Sequence, residues 1–497
     1  MKKISRALTL MLAAALALSA CGGAAGENSD TTAPAGTGTE PVETEPSREN
    51  TPDSLPKDLD FGGKTVRISN RGHYDYITFE MHAGEETGDI VNDALYDRDR
   101  RVEERLNVTI EYLVGDSDAT KYMDNVRTTI LAGDDAYDAV IGVQWKILPQ
   151  TREGLYHDLS DAPYLDYSQP WWNNNYMDTV SVSSDTRYVL AGDISLNMLR
   201  NLSCMFYNKK LYENLYSDPD GLYEPVLEGK WTHEMLRKMV TDGFQDLNAD
   251  GIADEGDVVG MVATKITQVD HFVFTSGLKL SERDADGYPM LSADQSRNVT
   301  VMETVDKLYW QTEGSLIYSS DSVQFTDMTQ KYLEGTSLFI AGRLMNADYL
   351  RDMKDPYGIV PMPKLDEAQK DYIGLVHDAT PLYGIPVTKT DIEMPCAVLE
   401  AMAAQNYRTV TPVYYEVALK VKYAHDEESG QVIDIIHAGM MTDFVYANNG
   451  SMGGTNLGTI GRSILSSSGG SYMSTYDGKK SAAEAAIADM IAAAKEE

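Results

Sequence analysis

Hydrophobic positions along this chain change period several times, and each change predicts an element. Lys64 to Ser69 alternates, with Val66 and Ile68 on one side, as a strand does. Asp89 to Leu106 carries Val91, Leu95, Val102 and Leu106 at helical spacing, with the charged group Asp97-Arg98-Asp99-Arg100-Arg101 placed largely on the wet side. Val108, Ile110 and Tyr112 alternate again, and Met123 to Ala132 reads as a helix stopped at Gly133. Asp138-Ala139-Val140-Ile141-Gly142-Val143 is a short apolar run of the kind a central parallel strand shows. Strand, helix, strand, helix, strand implies right-handed crossovers and a parallel sheet, hence an α/β fold. Further on, Tyr188 to Leu190, Ser337 to Ala341 and Tyr357 to Val360 read as strands. Thr232 is placed to cap a helix whose Met235, Leu236, Met239 and Val240 share a face. Met394, Val398 and Met402 mark another helix, and Thr411-Pro412 opens one more, with proline where a missing N–H costs nothing. Val432, Ile435 and Ile436 begin a later helical face, and Ala483, Ile487, Met490 and Ala494 form an amphipathic helix near the end.

Two stretches fall outside this patterning. Lys2, Lys3 and Arg6 precede an apolar run from Ala7 to Leu18 broken only by Thr9, and Ser19-Ala20-Cys21 follows. A basic start, a short apolar stretch and small residues predict a secretory leader, too short for a lasting membrane span. Leu18-Ser19-Ala20-Cys21 also resembles the lipobox of bacterial lipoproteins, in which the cysteine sulfur takes a diacylglycerol and the chain is cut before it. The resemblance implies that residues 1–21 are leader and lipobox and that Cys21 is the lipidated residue. Two or three acyl chains hold a protein on a membrane where one alone does not. Residues 22–58 are mostly Gly, Ala, Ser, Thr, Pro, Glu and Asp with no aromatic residue, and predict a disordered tether.

Charge narrows the partners. The 497 residues carry a formal charge of −35, and loss of Lys2, Lys3 and Arg6 leaves −38. Such an anion repels nucleic acid and acidic lipid headgroups, so contact with a membrane is expected through the lipid anchor only. With 42% hydrophobic residues and no second long apolar run, the remainder is expected to be a soluble globule large enough for two domains. Cys204 and Cys396 each sit in an apolar setting, which predicts buried free thiols and leaves a single disulfide open.

The sharpest local motif is Asp246-Leu247-Asn248-Ala249-Asp250-Gly251-Ile252-Ala253-Asp254-Glu255-Gly256-Asp257. As a calcium loop it offers Asp246, Asn248, Asp250, Asp254 and Asp257 at the oxygen-donor positions and the Ile252 carbonyl between them, with Gly251 at the sharp turn. Asp at the last position replaces the usual Glu, and a strand pattern follows, so the expectation is a structural Ca²⁺ rather than a sensor; an ordinary Asp-rich turn is the alternative. Enzyme signatures are missing. There is no G-x-S-x-G elbow, no G-x-x-x-x-G-K-[ST] loop and no H-E-x-x-H, and the eight histidines lack zinc-like spacing.

Several stretches fall into one order: Asp138 to Ile141, Gly154-Leu155-Tyr156-His157-Asp158-Leu159, Tyr188 to Asp193, Met205 to Tyr212, Trp231-Thr232, Glu334 to Ile340 and Tyr357 to Pro363. This order resembles the extracellular solute-binding lipoproteins of bacterial ABC importers, of the carbohydrate type, from about Phe61 to near Glu497. Val410 to Glu416 and Asp426 to Ser429 look like a branch common in Gram-positive bacteria. The resemblance implies a two-lobe periplasmic-binding-protein-like (Venus flytrap) fold with hinge crossovers. Lobe 1 would comprise residues 59–204 and 376–406, and lobe 2 residues 205–375 and 407–497. It implies a monomer on the extracellular face of the cytoplasmic membrane, no enzyme, that captures a sugar or oligosaccharide and delivers it to ABC permease subunits. A binding protein for a peptide or other non-sugar solute, a surface glycoside hydrolase, and a lipoprotein that no longer imports are the alternatives.

Candidates for the cleft follow. Trp145 comes after a predicted strand end whose loop lines the cleft in that family. Trp171 and Trp172 stand beside Asn173-Asn174-Asn175, joining rings to amides in a predicted loop. Tyr176 and Trp310 are weaker stacking candidates, and core packing is the alternative for every ring. Asp193 is placed to accept from sugar hydroxyls, with a turn acid as its alternative. Arg343, after the Ser337 to Ala341 strand, and Asp378, beside His377 near the return crossing, complete the set. Trp231 is assigned to packing.

Overall fold

A computed structural model describes residues 47–72, 80–319, 324–415 and 427–496. The leader, Cys21 and most of the tether lie outside the described residues. Thirteen strands occur in chain order: β1 (Lys64–Asn70), β2 (Val108–Val114), β3 (Ala139–Val143), β4 (Ser203–Asn208), β5 (Val259–Thr264), β6 (Ser281–Arg283), β7 (Pro289–Leu291), β8 (Ser315–Tyr318), β9 (Ser337–Arg343), β10 (Tyr357–Pro361), β11 (Gly374–Leu375), β12 (Pro381–Gly384) and β13 (Met440–Met441). They form two main sheets. One has the order β12-β3-β1-β2, with β1 parallel to both neighbours and β12 antiparallel to β3. The other has the order β10-β4-β9-β5-β8, with β5, β8 and β9 parallel and β4 and β10 running as antiparallel edge additions. Each sheet is the centre of one lobe, as the alternating strand and helix patterns require.

Where the lobes join, three passes of the chain lie side by side. The Gly374 N–H donates to the Gly439 carbonyl at 2.8 Å, Val376 N–H to Met441 at 3.0 Å and His377 N–H to Asn201 at 3.1 Å. The Leu375 N–H donates to the Ser203 hydroxyl at 2.9 Å. The short parallel pair β11–β13 is the centre of this hinge. Backbone pairing of so few residues suits a hinge axis, while the apolar cores on its two sides run together as one cluster.

The helix Ile90–Leu106 starts at Asp89, whose carboxylate accepts the N–H groups of Val91 and Asn92. Its apolar stripe is buried as the periodicity predicts, but the charged group is split. Asp97, Arg100 and Arg101 are exposed, whereas Arg98 and Asp99 are buried. Arg98 donates to Asp99 at 2.7 Å and to the Tyr112 hydroxyl at 2.8 Å, because the helix packs on a second surface around Asn406. The predicted Tyr188 to Leu190 strand shrinks to one bridge from Leu190 to Tyr383. β9 runs two residues past the predicted end and takes in Arg343.

The predicted new helix at Thr411 does not start there. Glu393–Gln405 continues through a π turn at Asn406–Val410 into Thr411–Tyr414. The Thr411 N–H reaches the Asn406 carbonyl five residues back, a wider turn that carries the helix past Pro412, which has no N–H to give. The tether also ends earlier than residue 58. Arg48 donates to the Tyr407 carbonyl at 2.6 Å and lies over its ring, and Asp53 pairs with Arg105 at 2.6 Å and Arg408 at 3.4 Å. Leu55 is buried, so residues 47–55 are a strap on the folded body. Cys204 and Cys396 are both buried free thiols.

Candidate functional site

The carboxyl ends of the parallel strands in both lobes point towards the hinge, which is where an open α/β sheet holds its ligands. β3 ends at Val143, and Gln144 begins the helix Gln144–Thr151. The Gln144 N–H donates to the Thr380 carbonyl at 2.9 Å, so the residues entering β12 arrive at the same edge. From the other lobe, β9 ends at Arg343, opposite Ser203, and β5 feeds the helix Thr267–Thr275, which carries Asp270 and His271.

Some of these groups interact within a lobe and others at the join. Arg462, on the helix Ile460–Ile464, donates to Asp270 through Nε at 2.8 Å and through Nη2. Arg343 donates to Asn201 Oδ1 at 2.9 Å. Tyr176 donates its hydroxyl to Gln144 Oε1. The imidazoles of His271 and His377 meet edge to face with centroids 6.1 Å apart. Burial lowers the His271 pKa to about 3 and that of His377 well below the ordinary value, and the nearby Arg343 and Arg462 guanidinium groups add to both shifts. Burial raises the Asp378 carboxyl, against the pull of Arg462 and Arg343.

Several polar atoms in this region are buried without a side-chain or backbone partner among the described residues, as are others elsewhere in the fold. Asn70 Oδ1 at the end of β1, Gln144 Nε2, both ring nitrogens of His271, His377 Nε2 and Thr380 Oγ1 are buried without a hydrogen-bond partner among the described residues. A buried polar atom left unpaired costs about 1–3 kcal/mol, so such atoms are rare and a group of them at one edge calls for a partner. His377 Nδ1 accepts from the Ala379 N–H at 3.1 Å, so the neutral ring carries its proton on Nε2, the unpartnered atom. The set mixes donors with acceptors.

The sequence candidates separate accordingly. Arg343 and Asp378 belong to this edge. Trp145 is in the first turn of the helix after β3, 37% exposed, with the Lys146 ammonium 5.0 Å from its ring centre. Trp171 and Trp172 are mostly enclosed. Trp171 has no exposed surface and Trp172 almost none, and both indole N–H groups donate to the buried Glu400, at 3.1 and 2.9 Å. Burial pushes Glu400 up to about 7 despite these donors. The two indole N–H groups are therefore taken up by a buried carboxyl group, while both residues also line a recess beside the hinge.

Asp193 is also held internally. It accepts from the Thr411 hydroxyl at 2.7 Å and pairs with Arg48 at 3.3 Å. It lines a recess of about 310 Å³ beside the hinge with Trp171, Trp172, Asn173, Asn174, Asn175 and His437. The backbone there is tight: a Cβ on Gly192, at φ +140°, would lie 2.1 Å from the Trp171 carbonyl oxygen. Tyr176 is buried, Trp310 donates its N–H to the Leu465 carbonyl at 3.2 Å, and Trp231 is core as expected, bonded to the Pro361 carbonyl at 2.8 Å.

Gln144, Asp270, His271 and Arg462 were not singled out by sequence. A signal existed for two of them, since Asp270 and His271 interrupt the otherwise apolar run Val269 to Phe274. Inside a fully buried helix, such polar residues need a reason.

In the loop Asp246 to Asp257, side-chain oxygens turn to the loop's own amides. Asp246 accepts from Ala249 at 2.6 Å and Gly251 at 2.8 Å, and Asp257 accepts from Leu247 at 2.8 Å and Asp254 at 3.2 Å. Gly251 has φ +78°, as the turn requires. Lys331 donates to the carbonyls of Glu255 and Asp257 at 3.2 and 2.9 Å. Among the described residues, no group of three or more His, Cys, Asp or Glu side chains is gathered so as to hold a metal ion. No helix among them is long and apolar enough to cross a membrane.

No family model matches the chain, and no curated protein matches it in sequence. Solved structures do match it in fold. The galacto-N-biose/lacto-N-biose I-binding protein of the ABC transporter of Bifidobacterium longum, in complex with lacto-N-biose, has a TM-score of 0.54 at 11% identity, over 86% of this chain and 98% of that one. UgpB of Mycobacterium tuberculosis with glycerophosphocholine has a TM-score of 0.54 at 11% identity, over 86% and 99%. The maltose/maltodextrin-binding domain of Bdellovibrio bacteriovorus bound to maltotriose has 0.51 at 12%, over 86% and 99%. The chain therefore has the two-lobe fold of bacterial ABC substrate-binding proteins.

Packing and exposure give opposite expectations for the tryptophans. Trp171→Ala should cost about 3–5 kcal/mol of stability, as deletion of a core ring does. Trp145→Ala should cost less than about 1 kcal/mol, the usual range for a surface change. Urea unfolding of both variants measures this, and equal losses would contradict the placement of the two rings.

Proposed function

We propose that this protein captures a sugar or oligosaccharide between its lobes and delivers it to an ABC importer, without acting on it chemically. The observation that carries the reading is the set of unpartnered buried polar atoms on Asn70 and Gln144 at the ends of β1 and β3, on His377 and Thr380 after the hinge pass, and on His271 in the helix after β5. A hydroxyl both donates and accepts, so a polyhydroxylated solute pairs with such a mixed set better than an anion or a cation does. Trp145 on the open side of the same turn offers an apolar face for a sugar ring. The shared fold supports the importer as the destination. We place the protein on the extracellular face of the membrane, held by lipid on Cys21.

Solute bound only by the native state adds about 2.7 kcal/mol of stability at a hundredfold excess over Kd. A mono- or oligosaccharide should therefore raise the melting temperature, and Gln144→Ala should weaken its binding about tenfold. Peptides raising it instead, or release of product from incubated glycans, would replace this reading by a peptide binder or a hydrolase.

Cys21→Ala should abolish labelling by a fatty-acid probe and free the protein into the medium. An unlabelled wild type that fractionates like the variant removes the anchor.

Structural calcium at Asp246, Asn248, Asp250, Ile252, Asp254 and Asp257 is supported by spacing, and the ion would have to draw these oxygens off the loop's amides. Extracellular sites of this kind bind at about 0.1–1 mM. Chelation of a calcium-loaded sample should lower the melting temperature, and Asp250→Ala should remove that sensitivity. Unchanged melting leaves the loop as an Asp-rich turn.

A further inference from the structure

We propose that the recess beside the hinge is a second binding site, separate from the cleft, that takes one neutral, hydroxyl-bearing ring: a monosaccharide or a cyclitol. It does not rest on capture between the lobes and stands or falls apart from it.

Size and lining set the recess apart. Its volume of about 310 Å³ is at the small end of ligand pockets, which run from about 300 to 1,000 Å³, so a single ring fits it better than an oligosaccharide does. Neither Gln144, His271, Arg343, His377 nor Thr380 lines it. Its walls come from two distant parts of the chain, residues between 170 and 199 on one side and Thr411, His437 and Met440 on the other. Leu196, Leu199 and Met440 supply apolar surface for the C–H face of a ring.

Three polar side chains on these walls keep capacity to spare. The Asp193 N–H donates to the Trp171 carbonyl at 2.8 Å, and its Oδ1 accepts from the Thr411 hydroxyl at 2.7 Å and from Arg48 at 3.3 Å. These bonds fix the carboxyl group, yet no donor among the described residues reaches Oδ2. Burial raises the Asp193 carboxyl against the pull of Arg48, and in either protonation state Oδ2 can bond to a hydroxyl. His437 meets the Tyr415 ring edge to face at 6.0 Å, and its nitrogens form no hydrogen bond among the described residues. Burial lowers its pKa, so the neutral imidazole offers one donor and one acceptor. Asn175 is exposed in the first turn of the helix Asn174–Val180. Its side-chain amide is uncommitted among the described residues, whereas the amides of Asn173 and Asn174 are held by Tyr176, Tyr167 and Arg187.

The chemistry of the occupant follows. An anion would face the Asp193 carboxyl group, and a cation would compete with Arg48, which already takes its charge. A hydroxyl donates and accepts, so adjacent hydroxyls on one ring pair with the carboxyl, the imidazole and the amide in turn.

The test is calorimetric titration with glucose, N-acetylglucosamine and myo-inositol at millimolar concentration, beside glucosamine and glucuronate as charged counterparts. At least one neutral probe should bind, and His437→Ala and Asn175→Ala should each weaken it about tenfold, as the loss of one hydrogen bond does. Because a variant can fail to fold, ¹⁵N-histidine spectra of the unaltered protein give a second reading: the His437 signals should move with the neutral probe, following the calorimetric binding curve. Heat that survives undiminished in both variants, or movement of the His271 and His377 signals in place of His437, puts the probe elsewhere and overturns the recess site while leaving capture between the lobes standing. Tighter binding of glucosamine or glucuronate than of every neutral probe overturns it as well, as do His437 signals that no probe moves.

Discussion

Everything in this molecule depends on three short passes of chain, around Asn201–Ser203, Gly374–His377 and Gly439–Met441, held by backbone hydrogen bonds of 2.8–3.1 Å. Two sheets, one in each lobe, meet at this narrow ladder. His377, Asp378 and Thr380 directly follow the second pass, and Arg343 pairs with Ser203 beside the first. A change in the hinge angle therefore moves groups of opposite lobes relative to one another. A ligand that fills their hydrogen bonds biases that angle through its differential affinity for the two states.

The cost of unpaired polar atoms separates site from core here better than the presence of aromatic rings does. Trp171, Trp172 and Glu400 look chemically rich, yet the two indole donors and the carboxyl satisfy one another inside a lobe. Arg98, Asp99 and Tyr112 do the same in another part of the core. Such closed networks rigidify a fold. His271, His377 and Gln144 are as deeply buried but keep atoms free, and they sit where two lobes meet rather than within one.

The strap at residues 47–55 has a related lesson. Its composition reads as spacer, but Arg48, Asp53 and Leu55 find partners on helices far away in the chain. Three specific contacts are enough to order a segment whose average character is that of a disordered one, because each is partly screened from water and the loss of chain entropy is shared among them.

Hydrophobic periodicity by itself determined the first lobe's strand–helix–strand order, the capped helix at Thr232, the amphipathic helix with Ala483 and Ile487, and the α/β class. These follow from local spacing, which any stretch carries within itself. Arg343 and Asp378 were legible as cleft candidates because they fall near strand ends and crossings. The fates of Trp145, Trp171 and Trp172 were not, since all three are tryptophans near polar neighbours and the sequence holds no record of what packs against them. Only the tertiary structure decided that Glu400, more than two hundred residues away, would take both indoles, that the helix would run on through Pro412, and that two histidines about a hundred residues apart would meet with nitrogens to spare. Burial and pairing are properties of distant segments brought together, and no local pattern contains them.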